Sequence, residues 1–370
     1  MRLFILSFFL IYATIHAYVF TKVRAALGLG VRTGIPLALF MLFMVAAPLI
    51  VHLAEERGLE AFARGLAWVG YMWLSLVGLT FLVSLGLDVL GLPVKLLRGG
   101  WLLPARAALS IAVLCALTVT VVGYFSARDI RTKRVVVETA KLPVPRIRVA
   151  QISDVHVGLI VRESRLSLIV KALRAARPDL LVVTGDLVDG QINNLGRLVS
   201  LLRDFHPPLG KFAVTGNHEF YAGIGQALDF TRKTGFRVLR GEAVDVQGLI
   251  TLAGVDDPTA ERMGMRRGLP ETELLSGLPH DRFVLLLKHR PWVKRSSRGL
   301  FDLQLSGHTH RGQIFPFNYV VRTQYPHLAG FFNLKDGSRL YVSPGTGTWG
   351  PPVRFLAPPE VTIIDLVRAP

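Results

Sequence analysis

RIRVAQISDVHVGLIVRESRLSLIVKALRAARPDLLVVTGDLVDG, at residues 146–190, holds two apolar runs with an amphipathic segment between them. RIRVAQISD and DLLVVTGDLVD are short, apolar and end in carboxylates, so both read as buried strands. The intervening ESRLSLIVKALRAARP has a helical period that sets Leu166, Ile169, Val170 and Leu173 on one face. Working outward, LGRLVSLLRDF reads as a second amphipathic helix, KFAVTGNH as a strand and GIGQALDFTRKTG as a helix. After these, RVLRG, QGLITLAGVDD, RFVLLLKHRP, DLQLSGHTH, SRLYVSPG and EVTIIDLV read as strands. Alternation gives way to strands, which predicts an α/β fold of two sheets covered by helices, an αββα sandwich.

The chemistry-bearing residues fall where the strands of this region end. Asp154 and His156 follow the first strand, Asp186 the second, Asn217 and His218 the third, His289 a later one, and His308 and His310 the strand before QLSGHTHRGQ. Five of the chain's ten histidines occupy these exits. Strand ends are where α/β folds build sites. Gly185, Gly216 and Gly307 each precede a polar group, allowing sharp turns and close approach. In an extended segment residues two apart point the same way, so His308 and His310 can serve one small target. Taken singly, each fragment has an ordinary alternative: a surface Asp–His hydrogen bond, an Asp turn, an Asn cap or a structural histidine. Their occurrence together, each at the end of an apolar strand, points to a metal centre.

The first third of the chain is different. Mean hydropathy is +0.42 and 51% of residues are apolar, high for a chain without membrane segments. Leu3–Phe20, Gly34–Leu53, Gly65–Leu87 and Ala107–Ala127 lack Asp, Glu, Lys and Arg. Each is about long enough to cross a hydrocarbon core of about 30 Å. Buried helices of a water-soluble core do not account for four such runs with charges confined to the gaps. The first run lacks a small-x-small cleavage site and is read as an anchor, not a signal peptide. Tyr18, Trp68, Tyr71, Trp73 and Trp101 are expected near interfaces, and His16 and His52 are expected to reach headgroup water.

Residues 1–127 are therefore expected to form a four-helix membrane domain, 128–146 a basic juxtamembrane linker and first strand, and 147–370 the globular domain. Four spans put both ends on one side. That side carries Arg2, Arg57, Arg64, Arg128, Arg131, Lys133 and Arg134, against Lys22, Arg24, Arg32, Lys95, Arg98 and Arg106 on the other. Seven cations against six favour a cytoplasmic catalytic domain in an inner or plasma membrane. Cys115 is the only cysteine, which excludes an intrachain disulfide. From Arg128 onward 34 Lys plus Arg face 22 Asp plus Glu, giving +12. Such an excess suits anionic lipid headgroups or a phosphate-bearing substrate. No basic strand with interleaved aromatics and no recognition helix argues for nucleic acid.

SDVHVG, GDLVDG, GNHEFY, KHRP and SGHTHRGQI, in this order, resemble the five signature blocks of the calcineurin-like metallophosphoesterases, over about residues 147–368. GNHEFYAG and SPGTGTWGPPVRFLAPPE further resemble the membrane-associated bacterial branch, the YkuE-like and YaeI-like phosphodiesterases. Arg311 departs from that branch, which usually carries a second glycine there. The resemblance implies two divalent cations, one held by Asp154, His156, Asp186 and His310, the other by Asp186, Asn217, His289 and His308. Asp186 would bridge, since a carboxylate has two oxygens to share. Mixed imidazole and oxygen ligands favour manganese, with iron or zinc next, over calcium or magnesium. A hydroxide generated between the cations would attack phosphorus, with His218 as general acid or stabiliser. The other reading of His218 is a supporting group hydrogen-bonded to Asp154. Arg290 and Arg311 flank ligands and are either substrate contacts or solvated arginines. Phosphodiester or pyrophosphate bonds in lipid headgroups are the expected substrates, by similarity to membrane relatives that include a pyrophosphatase of a lipid A precursor. The alternatives are a soluble phosphodiester, nucleotide or phosphoprotein, or a transport or sensing protein with an inactive phosphoesterase domain. The filled ligand positions and nearly charge-free spans weigh against the last. Membrane lipids are the expected partners, and oligomeric state is left open.

Overall fold

A computed structural model describes residues 2–190 and 195–369. The chain divides into two compact units, Met1–Tyr124 with Gly350–Val353, and Phe125–Trp349 with Arg354–Pro370. Within the first lie α1 (Arg2–Leu27), α2 (Val31–Glu56), α3 (Glu60–Arg98) and most of α4 (Ala105–Arg128). Each expected span lies inside one of these helices, and all four are long and apolar enough to cross a membrane. At 39 residues α3 is about 58 Å long, well beyond the hydrocarbon thickness. It ends at Gly99, whose φ of 72° closes the last turn with an N–H bond to the Lys95 carbonyl.

Tyr12, Val19, Met41 and Val77 pack between these helices, while leucines such as Leu39, Leu42 and Leu49 stay exposed, as lipid-facing side chains do. Asp88 lies inside α3, where it accepts hydrogen bonds of 2.6 Å from both Lys22 and Tyr18 of α1. An apolar helix tolerates a carboxylate when a cation is paired to it in this way. His16 corrects the sequence expectation. It is buried, accepts from Trp73 Nε1 at 2.8 Å through Nε2, and turns Nδ1 to the Tyr12 carbonyl at 2.8 Å. The indole supplies the partner that headgroup water was expected to supply. His52 is exposed and faces Glu56 one turn later.

Among the described residues the second unit contains twelve strands. In chain order the first are β1 (Arg131–Thr139), β2 (Arg146–Ile152), β3 (Leu180–Thr184), β4 (Lys211–Val214) and β5 (Arg237–Val238). Then come β6 (Glu242–Val246), β7 (Ile250–Gly254), β8 (Val284–Leu287), β9 (Leu303–Ser306), β10 (Gly330–Asn333), β11 (Arg339–Val342) and β12 (Glu360–Arg368). One sheet runs β1-β12-β2-β3-β4-β5 and the other β10-β11-β9-β8-β7-β6. β2, β3, β4 and β5 are parallel neighbours, as are β7, β8, β9 and β11, so the carboxyl ends within each series lie along one edge. β12 lies antiparallel to β2 and parallel to β1. β1 starts three residues after Arg128, the linker's first arginine, and pairs along its full length, so RTKR belongs to the sheet.

The strand period explains the layers. Leu180 and Val182 of β3 face the second sheet, in a core with Val149, Leu285, Leu287, Leu305 and Ile364. Leu181 and Val183 face outward onto α5 (Glu163–Ala176) and α6 (Gly196–Arg203), meeting Leu166, Ile169, Leu173 and Leu198. The helical face expected of ESRLSLIVKALRAA is buried in full. α7 (Asn217–Tyr221) and α8 (Ile224–Lys233) follow β4, and Ala227 and Phe230 join the same core. α9 (Thr259–Arg262) and α10 (Glu271–Ser276) follow β7, where Leu274 and Leu275 cover the outer face of the second sheet at Ala253, Val284 and Leu286. α11 (Phe317–Gln324), which the sequence pattern does not announce, has no buried residue. The arrangement is helix, sheet, sheet, helix.

Candidate metal centre

The exit loops of β2, β3, β4, β8 and β9 converge. Asp154, Asp186, His289 and His308 each sit two residues beyond a strand, and Asn217 three beyond. Backbone bonds extend the ladders into the loops: the Asp154 N–H donates to the Gly185 carbonyl, His156 to Asp186, and Gly307 to His289. Among the described residues three groups result, Asp154 with His156 and His310, Asp186 with His289 and His308, and His156 with Asp189 and His218, the ligand atoms of each lying within 4.8 Å of one another.

Asp186 approaches both of the first two groups. Asp186 Oδ2 lies 3.2 Å from His289 Nε2 and 3.9 Å from His156 Nε2. His156 Nε2 and His310 Nε2 are 3.1 Å apart, and His308 Nδ1 and His289 Nε2 are also 3.1 Å apart. His310 Nε2 is 3.4 Å from Asp154 Oδ1. The Asn217 side-chain oxygen is buried with no hydrogen-bond partner. A buried acceptor left without a donor costs about 1–3 kcal/mol, so its placement asks for a positive partner. Nitrogen and oxygen donors crowded in this manner fit divalent cations of the first transition row and zinc.

Neighbouring groups orient the ligands. His289 Nδ1 donates to the Thr184 carbonyl at 2.8 Å, which leaves the Nε2 lone pair facing Asp186. His308 Nε2 meets the Tyr325 hydroxyl at 2.9 Å, and Nδ1 faces inward. The His308 N–H donates to both Asp154 oxygens at 3.0 Å. Arg354, wholly buried, donates to the carbonyls of His310, Pro344 and Gly347 and brings Nη2 to 3.1 Å from His310 Nδ1. Glu219 accepts from the N–H groups of Asp186, Leu187 and Gly216 at 3.0, 2.7 and 2.6 Å, tying the β3 exit to the β4 exit. Replacing it in Glu219→Gln turns an amide N–H towards backbone donors inside a buried loop. Destabilisation of about 2 kcal/mol or more is expected, measured as a lower urea midpoint of the purified protein.

Backbone strain is concentrated here. Asp154, His156, Asp186, His308 and His310 have φ between 47° and 73°, a region that costs a non-glycine residue about 1–3 kcal/mol. The surrounding hydrogen bonds hold them there. The close approach expected at Gly216 and Gly307 is also present. A β-carbon at Gly216 would meet the Asp186 carboxylate, and one at Gly307 would meet Ser153 and Asp154.

Burial and mutual charge divide the imidazoles into two classes. Burial pulls His289 down, but Asp186 outweighs it and pushes the ring up to about 10. His218 behaves alike, with Asp186 and Asp189 overcoming burial to raise it to about 9. Burial, helped by His218, takes His156 down to about 4, and burial with His289 takes His308 down to about 3. His310 is held well down by burial and by Arg354. Burial raises Asp186, yet His289 and His218 leave it well below the usual carboxylate range.

His218 is half-buried at the centre, its ring 4.6 Å from that of His156. Its Nδ1 bonds Asp189 Oδ1 at 2.8 Å, so the partner is Asp189 where the alternative reading of this residue had Asp154. The Asp186 carboxylate takes the His218 N–H at 2.8 Å. Arg290 is placed otherwise than either sequence reading of it. Buried, it forms a two-point ion pair with Asp257 (2.7 and 3.2 Å) and donates to the Tyr325 hydroxyl at 3.2 Å. It therefore supports His308 through Tyr325 instead of standing open to solvent or substrate. Arg311 is exposed beside His310. Asp189, Glu219, Tyr325 and Arg354 escaped the sequence reading. Asp189, within GDLVDG, had the visible signal of a second carboxylate three residues after Asp186.

Residues 147–312 match the model of the calcineurin-like phosphoesterases. An uncharacterized metallophosphoesterase of Aquifex aeolicus is 44% identical over 239 residues, covering 64% of this chain and 92% of the relative. The uncharacterized metallophosphoesterase YkuE of Bacillus subtilis is 32% identical, over 59% of this chain and 78% of its own length. A transmembrane protein with metallophosphoesterase domain from Danio rerio is 32% identical over 60% of this chain, which spans 54% of that relative. Four apolar helices, together with relatives named for their transmembrane segments, mark a membrane protein. With acid and histidine clusters gathered at the strand exits and a 44% identical relative matched over nine-tenths of its length, the chain belongs to the calcineurin-like metallophosphoesterase family.

Proposed function

We propose that the chain is a phosphoesterase that hydrolyses phosphodiester or pyrophosphate bonds, lipid headgroups being the favoured substrate class, with two divalent cations. The observation that carries this reading is the shared position of Asp186, 3.2 Å from His289 and 3.9 Å from His156. Asp154, His156, Asp186 and His310 would hold one cation, and Asp186, Asn217, His289 and His308 the other, manganese first and iron or zinc next. Bound there, the pair supplies Lewis-acid activation of a water and of the phosphoryl oxygens. Thr184, Tyr325 and Arg354 keep the imidazoles in register for it. With Nδ1 held by Asp189, His218 has Nε2 available to pass a proton to the leaving oxygen.

Tyr221 and Trp349, both exposed, stand edge-on to His218 at 5.5 and 5.9 Å and suit an apolar substituent on the substrate. Four spans, a cytoplasmic catalytic domain and membrane lipids as partners complete the proposal, supported by four apolar helices and the seven-to-six cation balance. The test uses the whole chain in detergent. Metal content is measured by mass spectrometry, and hydrolysis of bis(4-nitrophenyl) phosphate and 4-nitrophenyl phosphate is followed with added Mn²⁺. Two metals per chain with faster diester turnover are expected. A folded protein that takes up no metal and cleaves neither ester would turn the reading to the transport or sensing alternative.

A further inference from the structure

We infer that a pocket beside the ligand loop is a subsite for a second anionic group on an amphiphilic phosphoester, an inference that rests on the phosphoesterase reading above. The pocket has a volume of about 270 Å³ and is lined by Arg311, Asn318 and Arg322 together with Phe315, Leu328 and Leu356. It is attached directly to the metal centre. Arg311 follows the ligand His310, so its backbone is one peptide, about 3.8 Å, from a ligand residue. Thr309, between the two histidine ligands, donates to the Leu328 carbonyl at 2.5 Å and so fixes a second lining segment of the pocket.

The chemistry of the walls selects the ligand. Neither guanidinium has an ion-pair partner among the described residues, whereas Arg290 and Arg240 are paired to Asp257 and Asp256. Two forked donors lining one pocket match the oxygens of a phosphate or phosphonate. The Asn318 side-chain oxygen is buried without a partner, and α11 is seated on Gly312, where a β-carbon would strike the Asn318 backbone. Arg311 itself has φ 53°, a conformation glycine adopts freely and arginine does not. A strained arginine next to a ligand, lining the same pocket as a second arginine, indicates a side chain kept for contact with an anion. The apolar wall, with exposed Phe315 and Leu356, takes the carbon skeleton between the two anionic groups.

The test compares matched esters on the metal-loaded whole chain in detergent. The soluble pair is hexyl 4-nitrophenyl phosphate and its 6-phosphonohexyl counterpart, and the lipid pair is phosphatidylglycerol and phosphatidylglycerophosphate in mixed micelles. The ratio of kcat/KM within each pair is the readout. A preference of about 10- to 100-fold for the more highly charged member is expected, falling about tenfold in Arg311→Gly and in Arg322→Ala. Arg311→Gly relieves the positive φ, so its fold is retained, as an unchanged melting temperature will report. Preference in both pairs establishes the anion subsite whatever the substrate's source. Preference in the lipid pair alone assigns it to headgroups, and in the soluble pair alone to free phosphoesters. A ratio near one in the parent, or one unmoved by both substitutions, overturns the subsite while leaving the phosphoesterase reading intact. Cleavage of none of the four esters removes both.

Discussion

Asp186→Asn is expected to lower diester turnover by at least about 10³-fold, the upper range for loss of one electrostatic group, because both ligand sets lose the same oxygen. Metal content should fall from two per chain to one or none. The substitution is nearly isosteric, and Asn Oδ1 can still accept the His218 N–H that Asp186 accepts at 2.8 Å. The fold should therefore persist, which separates a lost centre from a lost protein. Circular dichroism and mass spectrometry on one preparation decide it. A variant that keeps two metals and near-parental turnover would show that the 3.2 and 3.9 Å approaches of Asp186 to His289 and His156 do not reflect a shared ligand.

His218→Ala should cost about 10²- to 10⁴-fold in kcat with little change in metal content, the range for a general acid. The effect should shrink with a leaving group such as 4-nitrophenolate, which needs little protonation, and grow with an alkyl leaving group. Asp189→Asn probes the same function by another route. Asp186 and Asp189 raise the His218 imidazole above its ordinary value against the effect of burial. A raised imidazole keeps its proton to higher pH, and the donor form is lost as pH climbs through the raised value. Removing one carboxylate should move the alkaline limb of the kcat profile to lower pH and leave the acid limb in place. An alkaline limb that stays put in Asp189→Asn would rule out His218 as the donor whose loss it reports.

Much of this protein is legible in its sequence because the fold spends short, buried strands on delivering side chains to one edge. An apolar run such as DLLVVT followed by Gly-Asp carries both facts locally, and the five exits repeat the pattern. The membrane helices are equally plain, since a long apolar run has few other uses. What escaped depends on partners far apart in the chain. Arg354 sits among glycines and prolines with no period to mark it, yet it packs under His310, 44 residues earlier. Arg290 adjoins a ligand and so invites a substrate role, but Asp257 claims it from another loop. His16 looked like an interfacial residue until Trp73, on a different helix, supplied its partner. β1 was hard to see because RTKR is basic and mostly exposed, and only β12 gives it a neighbour.

That neighbour carries a consequence for how the protein is made. β12 is threaded between β1 and β2, so the strand leaving the membrane helices has no hydrogen-bonding mate until Glu360–Arg368 has been translated. Nascent chains stalled before this point should keep β1 protease-sensitive on the ribosome. Closure of this sheet therefore waits for β12, and β1 stays without its strand partner long after the helices before it have been made.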